Sequence, residues 1–207
     1  MARPKAEIAR PGPHPLPPLD LAAFTLPTVD NAGPWSRIYR RAYDPLYFGR
    51  TGDNRFDAPD GEYGVLYAGN DTHCAFVETF GDLGRRDVTT SQLDARCLAR
   101  LETGRPLTLI DLTGPGLARL GADERLCSGD HGVAQQWALA LWAHPSRPDG
   151  LLYRARHDPS RYSVALYDRV ADTVRVTPQG SLSEARNRAM LADLLDTYTF
   201  ALVNDSP

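Results

Sequence analysis

The chain has 207 residues, of which 42% are hydrophobic, and carries a formal net charge of -3 at pH 7. This length is enough for one well-packed core but too short to favour two large domains, so we expect one domain. A slightly acidic chain without a polybasic run lacks the positive field that holds a phosphate backbone, and nucleic-acid binding is disfavoured.

The first 34 residues hold eight of the 17 prolines and show little hydrophobic periodicity. We predict a proline-rich N-terminal arm over residues 1–34 that lies extended on the surface or is partly disordered. The fold proper is predicted to begin near Trp35. The start of the chain lacks the apolar segment of a signal peptide, so we expect a cytoplasmic protein.

The middle of the chain alternates between strand and helix patterns. WSRIYRR and YGVLYAG are predicted strands, and a helix capped by Asn70 or Asp71 then runs to about Phe80, where Gly81 ends it. CLARLE and PLTLIDL are two more predicted strands, the second buried on both faces.

The second half of the chain begins with HGVAQQWALALWAH, where Val133, Trp137 and Leu141 form a helical stripe. GLLYRAR, YSVALYDR and DTVRVTP are predicted strands, and EARNRAMLADLLDTYTFAL is a predicted helix. About six strands with three or four helices, without regular strand–helix alternation, predict an α+β fold: a single domain with a mixed or split sheet.

The apolar patterns and the cysteine and histidine spacings exclude three further classes of protein. No apolar run reaches 18 residues, so no membrane association is predicted. The odd set of Cys74, Cys97 and Cys127 lacks C-x-x-C spacing, and the five histidines do not occur at metal-ligand spacings. We therefore predict neither a disulfide framework nor a metal site.

The candidates for chemistry are Arg37, Arg55, Tyr67 and Glu78. Taken singly, each favours an ordinary role: a surface ion pair for an arginine, a core position for the tyrosine, a solvated helix position for the glutamate. Together they form the set that a pyridine dinucleotide needs if its nicotinamide–ribose bond is to be cut.

The chemistry of that cleavage assigns a role to each side chain. Guanidinium groups bind diphosphate in a bidentate manner, so Arg37 and Arg55 are predicted to hold the diphosphate or a phosphate nucleophile. Tyr67 is predicted to stack on the nicotinamide ring. Glu78 would stabilise the positive charge that develops on the ribose as the bond breaks. A pyridine dinucleotide is then the predicted substrate.

Five sequence blocks in this order resemble the RES-domain proteins, a family named for an arginine, a glutamate and a serine. The blocks are WSRIYRRAYDPLYFG, NRFDAPDGEYGVLYAGNDTHCAFVETF, LIDLTG, QQWALALWAHP and DGLLYRARHDPSRYSVALYDR. The resemblance runs from about Trp35 to Leu202 and implies a RES domain over residues 35–207, with a fold similar to the diphtheria-toxin-like ADP-ribosyltransferases. It also implies an activity on NAD and, as in many members, a toxin paired with an Xre-like antitoxin protein.

One position departs from the family pattern. Where the family has serine in Tyr-x-Ser-Arg, this chain has Ala155. A serine hydroxyl would hydrogen-bond the ribose or the nicotinamide amide, and a methyl group cannot. Ser160 and Ser163 follow, and we expect them on another turn or strand. The sequence is consistent both with a natural divergent member and with a deliberate replacement of the serine.

A neighbouring block, QQWALALWAHP, often lines the site in the family. We assign Trp137 to the core, because indole side chains contribute most to burial. The roles of Gln135 and Gln136 stay open at the sequence level.

Three functions follow from these patterns. The leading one is an NAD-consuming toxin that cleaves the nicotinamide–ribose bond by phosphorolysis or hydrolysis and is neutralised by a cognate antitoxin. The first alternative is a toxin that transfers ADP-ribose to a protein target. The second is a catalytically weakened module that binds NAD or the antitoxin, since Ala155 stands at the family serine position.

Overall fold

The computed structural model describes residues 13–81 and 84–205, and these contain ten strands and six α-helices. The strands are β1 (Thr28–Asn31), β2 (Trp35–Arg40), β3 (Val65–Gly69), β4 (Asp87–Thr89), β5 (Arg96–Thr103), β6 (Leu107–Asp111), β7 (Gly150–Arg154), β8 (Tyr162–Tyr167), β9 (Val174–Ser181) and β10 (Ala201–Val203). The helices are α1 (Thr72–Phe80), α2 (Thr90–Asp94), α3 (Pro115–Leu120), α4 (Arg125–Ser128), α5 (His131–Trp142) and α6 (Arg188–Thr197).

A mixed eight-stranded sheet is the centre of the fold. Its strand order is β1-β6-β7-β8-β3-β2-β5-β9, and β4 and β10 form a separate parallel pair. In the large sheet β6 and β7 are parallel, and the other neighbours are antiparallel. The order places four strands from distant parts of the chain side by side: β7, β8, β3 and β2.

These elements confirm the predicted α+β class and the predicted strands β2, β3 and β5 to β9. Three strands were missed, namely β1, β4 and β10, because each has only three or four residues and too few apolar positions to show a period. The predicted C-terminal helix is shorter than expected, since α6 ends at Thr197 and residues 201–203 are a strand.

The sheet begins earlier than the sequence analysis places it. Strand β1 pairs with β6, and Leu21 and Leu26 are buried, so part of the predicted arm belongs to the core. Residues 1–12 of that arm lie outside the described residues. No helix among residues 13–81 and 84–205 is long and apolar enough to cross a membrane.

Alternating side chains build separate apolar clusters on the two faces of the sheet. In β3, Val65 belongs to the cluster beneath α5, whereas Leu66 belongs to the cluster on the opposite face. In β6, Leu109 and Ile110 divide in the same way, as predicted for a strand buried on both faces. A third cluster lies between α1, α2 and α6. Packing against these clusters fixes the positions of α1 and α5 relative to the strands.

Local sequence determines where α1 begins and ends. Asp71 caps its N-terminus by accepting a hydrogen bond from the Cys74 amide at 2.8 Å, and Gly81 caps its C-terminus. The close approach of β3 to α1 requires Gly69, because a Cβ there would lie 2.7 Å from the Cys74 Cβ. The cap confirms the predicted helix and sets the direction in which Glu78 projects.

Candidate active site

A cleft of about 270 Å³ lies beside α1, over the ends of β2, β3, β8 and β7. Arg37, Arg55, Tyr67 and Glu78 all line it, although they come from two strands, a loop and a helix. The structure therefore brings the four residues that the sequence analysis selected to the lining of one cleft.

The strand order gives the cleft a direction. Tyr153 on β7, Ser163 on β8, Tyr67 on β3 and Arg37 on β2 follow one another across the sheet. Neighbouring strands lie about 4.8 Å apart, so the cleft spans roughly 14 Å from β7 to β2. An elongated ligand can lie across the strands.

Arg37 occupies the β2 end of the cleft. Its Nη2 donates to the Tyr47 carbonyl at 3.0 Å, while its Nη1 is buried and has no hydrogen-bond partner among the described residues. Burial lowers the pKa of Arg37 to about 10, and the side chain is still a cation at neutral pH. A guanidinium with one buried and unsatisfied donor is suited to bind an anionic oxygen.

Arg55 projects from the loop between β2 and β3. Its Nη1 donates to the Gly129 carbonyl at 2.7 Å. Burial and the neighbouring Arg156 lower the pKa of Arg55, which is the direction expected when cations gather at one site. An anionic ligand would relieve this repulsion.

The loop that carries Arg55 is held by a buried carboxylate. Asp57 is fully buried and accepts hydrogen bonds from the Tyr67 hydroxyl (2.9 Å) and from the backbone and side-chain nitrogens of Asn54 (3.1 and 2.9 Å). The Tyr67 hydroxyl also accepts from the Phe56 amide at 3.0 Å. Burial raises the pKa of Tyr67 well above its usual value. The hydroxyl of Tyr67 thus serves the fold, and its ring is what remains for ligand contact.

Glu78 projects from α1 towards the segment that follows β7. Its Oε1 accepts a hydrogen bond from the His157 amide at 2.9 Å. The ring of His157 packs over Gly81, where a Cβ would lie 2.6 Å from the imidazole Cγ. The missing side chain at Gly81 therefore lets His157 approach and orient the carboxylate.

Sequence reasoning missed several lining residues, chiefly Arg156, His157, Tyr153 and Ser163. Arg156 was visible in the sequence as the second arginine of the YRAR block. Ser163 is on another strand, as expected, but that strand is β8, which pairs with β7 so that Ser163 lies opposite Tyr153 and lines the cleft. Pairing between strands brings together residues whose separation in sequence hides the contact.

Ala155 is buried, with 1% of its surface exposed, and it is not among the described residues that line the cleft. Its amide donates to the Arg161 carbonyl at 3.0 Å, which extends the pairing of β7 with β8. Alternation along the extended chain puts Ala155 on the same face as Tyr153. Ser163 is one of the residues with a hydroxyl group that do line the cleft, together with Ser36 and Thr79.

The glutamines left open at the sequence level have different positions. Gln135 donates from Nε2 to the carbonyls of Gly52 (2.7 Å) and Asn54 (3.0 Å), so α5 anchors the loop that carries Arg55. Gln136 is exposed. Trp137 is buried in the core, as predicted.

Within the described part of the chain, the cleft is lined by three arginines and one carboxylate: Arg37, Arg55, Arg156 and Glu78. An excess of positive charge next to a single carboxylate is typical of a site that binds an anionic ligand and acts on it. Fold and cleft thus define an α+β protein with an arginine-rich candidate active site.

Comparisons with known proteins agree with this class. A family model described as "RES domain" matches residues 34–186. The chain belongs to the RES domain family. It is 29% identical over 124 residues to "Probable toxin y4kH" of Sinorhizobium fredii, a match that covers 59% of this chain and 95% of that protein.

A solved structure shows a similar fold. It comes from the crystal structure of the M. tuberculosis MbcT-MbcA toxin-antitoxin complex, with a TM-score of 0.60 and 17% sequence identity. The match covers 80% of this chain and 92% of that chain. Most of the described fold is therefore common to both.

Proposed function

We propose that this protein is a toxin that consumes NAD by cleaving the bond between nicotinamide and ribose. The observation that carries the proposal is the meeting of Arg37, Arg55, Tyr67 and Glu78 in one cleft with an excess of arginine. Both phosphates of NAD are negatively charged, and guanidinium groups match them in charge and in geometry. The toxin assignment is supported by the name of the S. fredii relative and by the toxin-antitoxin complex that contains the structural neighbour.

Each side chain has a defined task in the proposed reaction. Arg37 and Arg55 hold the diphosphate or an incoming phosphate, and Tyr67 offers its ring to nicotinamide. The bond from the nicotinamide nitrogen to the ribose carbon breaks, and its electron pair leaves with nicotinamide. Glu78 stabilises the resulting positive charge on the ribose. An oxygen of phosphate or water then bonds to the same carbon, and water loses a proton in doing so.

One hydrogen bond of Glu78 supports this task. The His157 amide holds one carboxylate oxygen at 2.9 Å, which fixes the group before substrate arrives. A preorganised charge needs no reorientation as the transition state forms, and such groups contribute most to electrostatic catalysis.

The resemblance to RES-domain proteins supports a fold related to the diphtheria-toxin-like ADP-ribosyltransferases.

A binding partner is expected under the same proposal, because an enzyme that depletes NAD would stop the growth of the cell that produces it. We assign the neutralising role to an Xre-like antitoxin that covers the cleft. The structural neighbour comes from a toxin-antitoxin complex, which supports this assignment.

NAD labelled in its adenylate half separates the proposed reactions. Phosphorolysis gives a labelled phosphorylated ADP-ribose only when phosphate is present, and hydrolysis gives labelled ADP-ribose without it. Label on a protein band would instead indicate ADP-ribosyl transfer. Tight NAD binding in calorimetry without nicotinamide release would favour the binding module, the alternative that Ala155 suggests.

A further inference from the structure

The connection between β7 and β8, residues 155–161, is called the β7–β8 turn below. It contains neither helix nor strand, yet it carries two residues that line the cleft, Arg156 and His157. The His157 amide donates to the Glu78 carboxylate at 2.9 Å. The place of this turn therefore sets the orientation of Glu78, and contacts that fix the turn act on the cleft.

Asp158, the residue after His157, is the polar centre of the turn. Its Oδ1 accepts hydrogen bonds from the Ser160 amide (3.2 Å) and hydroxyl (2.5 Å), and its Oδ2 accepts from Arg161 Nε at 2.9 Å. The hydrogen bond from the Ser160 side chain is the main cause that lowers the pKa of Asp158, so the group is a carboxylate at neutral pH. The turn is thus closed around one negative charge.

Tyr198, which directly follows α6, connects this charge to the helices. Its hydroxyl donates to Asp158 Oδ2 at 2.9 Å. Its ring is stacked on Phe76 of α1, with centroids 6.3 Å apart and planes inclined by 13°, and meets the His73 ring at 6.1 Å and 61°. Tyr198 therefore bridges the helix that carries Glu78 and the turn that orients it.

This bridge comes from the C-terminal part of the chain. The RES family model matches residues 34–186, and α6, Tyr198 and β10 follow that match in the sequence. The hydrogen bond between Tyr198 and Asp158 joins this C-terminal segment to the β7–β8 turn. A segment beyond the family match thus reaches the cleft through the Tyr198 hydroxyl.

We infer that Tyr198 is a positioning residue for Glu78, an inference that rests on the proposed function. Its hydroxyl fixes the β7–β8 turn through Asp158, and the turn presents the His157 amide to the carboxylate. Without the hydroxyl the turn moves more freely relative to α1, and the carboxylate is less well fixed before the transition state forms. Rate is then lost while NAD binding is retained.

The test is the variant Tyr198→Phe, which keeps the ring on Phe76 and removes the hydroxyl. We expect kcat for nicotinamide release to fall roughly 2- to 10-fold, the range for loss of one hydrogen bond, with KM for NAD unchanged. Hydrogen exchange of the His157 amide, followed by NMR, should become faster. Asp158→Asn, which weakens the same bond from the side of the turn, should reproduce these changes.

The matched control is Tyr162→Phe. Tyr162 begins β8 at the other end of the same turn, where its ring contacts the Arg154 guanidinium at 5.2 Å. This variant also loses a tyrosine hydroxyl next to the turn, and it should keep the wild-type kcat and the wild-type exchange of the His157 amide.

A double-mutant cycle with Glu78→Gln separates positioning from a general structural effect. If Tyr198 acts through the charge of Glu78, then Tyr198→Phe causes no further fall in kcat in the Glu78→Gln background. An equal fall in both backgrounds would overturn the inference, as would a rise in KM with unchanged kcat.

A wild-type protein that releases no nicotinamide would refute the proposed function, and the exchange experiment would still decide on the positioning role. Faster exchange of the His157 amide in Tyr198→Phe than in wild type and Tyr162→Phe supports that role. Equal exchange in all three proteins would refute it.

Discussion

Glu78 is the residue on which the proposed chemistry depends most. It is the one carboxylate among the described residues that line the cleft. Its Oε1 accepts a hydrogen bond from a backbone amide, that of His157. A carboxylate near a developing cation stabilises the transition state more than the ground state. Its charge is therefore expected to affect rate more than binding.

The variant Glu78→Gln keeps the shape of the side chain and removes its charge. We expect nicotinamide release to fall by about 10²- to 10³-fold, the range for loss of one electrostatic stabiliser. The dissociation constant for NAD and the melting temperature should change little, since the amide oxygen can still accept from His157. A folded variant with wild-type turnover would remove Glu78 from the mechanism.

Ala155 stands at the position that the sequence analysis assigns to the family serine. A hydrogen bond made only in the transition state and worth about 1.5–3 kcal/mol changes a rate by roughly 10- to 10²-fold. Because Ala155 faces the same side as Tyr153, we expect Ala155→Ser to raise NAD turnover and toxicity on expression, with little change in NAD affinity. Turnover and calorimetry of the two proteins measure both effects.

Ser163 provides the control for that experiment. Its hydroxyl already lines the cleft and lies 3.3 Å from the Cys74 sulfur. If Ala155→Ser gives no gain while Ser163→Ala loses turnover, then β8 supplies the hydroxyl and the position assigned to the family serine is wrong.

At the scale of elements, α5 positions a loop that belongs to neither helix nor sheet. Gln135 makes two hydrogen bonds to this loop, at Gly52 and Asn54. Each is worth about 0.5–1.5 kcal/mol net. Gln135→Ala should therefore free the loop and weaken NAD binding by roughly 3- to 10-fold through Arg55. Calorimetry measures the change.

Gln136→Ala is the matched control, because it removes the same side chain from an exposed position on the same helix. It should bind NAD as wild type does. Equal weakening in both variants would mean that the loss comes from α5 itself and not from the loop contacts.

Elements differ in how far local sequence determines them. Helix α1 was predictable with its ends, because Asp71 and Gly81 act within one turn. The meeting of Arg37 with Glu78 could be predicted only from chemistry and resemblance, since no local pattern specifies which strand lies next to which helix. Ser163 was missed because its place depends on the register between β7 and β8.

At the scale of the whole molecule, we expect a partner protein to bind over the cleft. We expect co-expression with its cognate antitoxin, which we propose is Xre-like, to give a stable complex in which nicotinamide release is suppressed. In the complex, the backbone amides of the segments that carry Arg37 and Glu78 should exchange hydrogen more slowly than in the free protein. Separate elution of the two proteins on a sizing column would count against this partner.

The central claim is that the cleft breaks the nicotinamide–ribose bond of NAD. The most direct measurement is the release of free nicotinamide from NAD by the purified protein, followed over time with and without phosphate. We predict release in proportion to protein concentration, and its loss when Arg37 is replaced by alanine, because that change removes the buried cation with the unsatisfied donor. NAD that stays intact with every concentration of folded wild-type protein, in both buffers, would contradict the account.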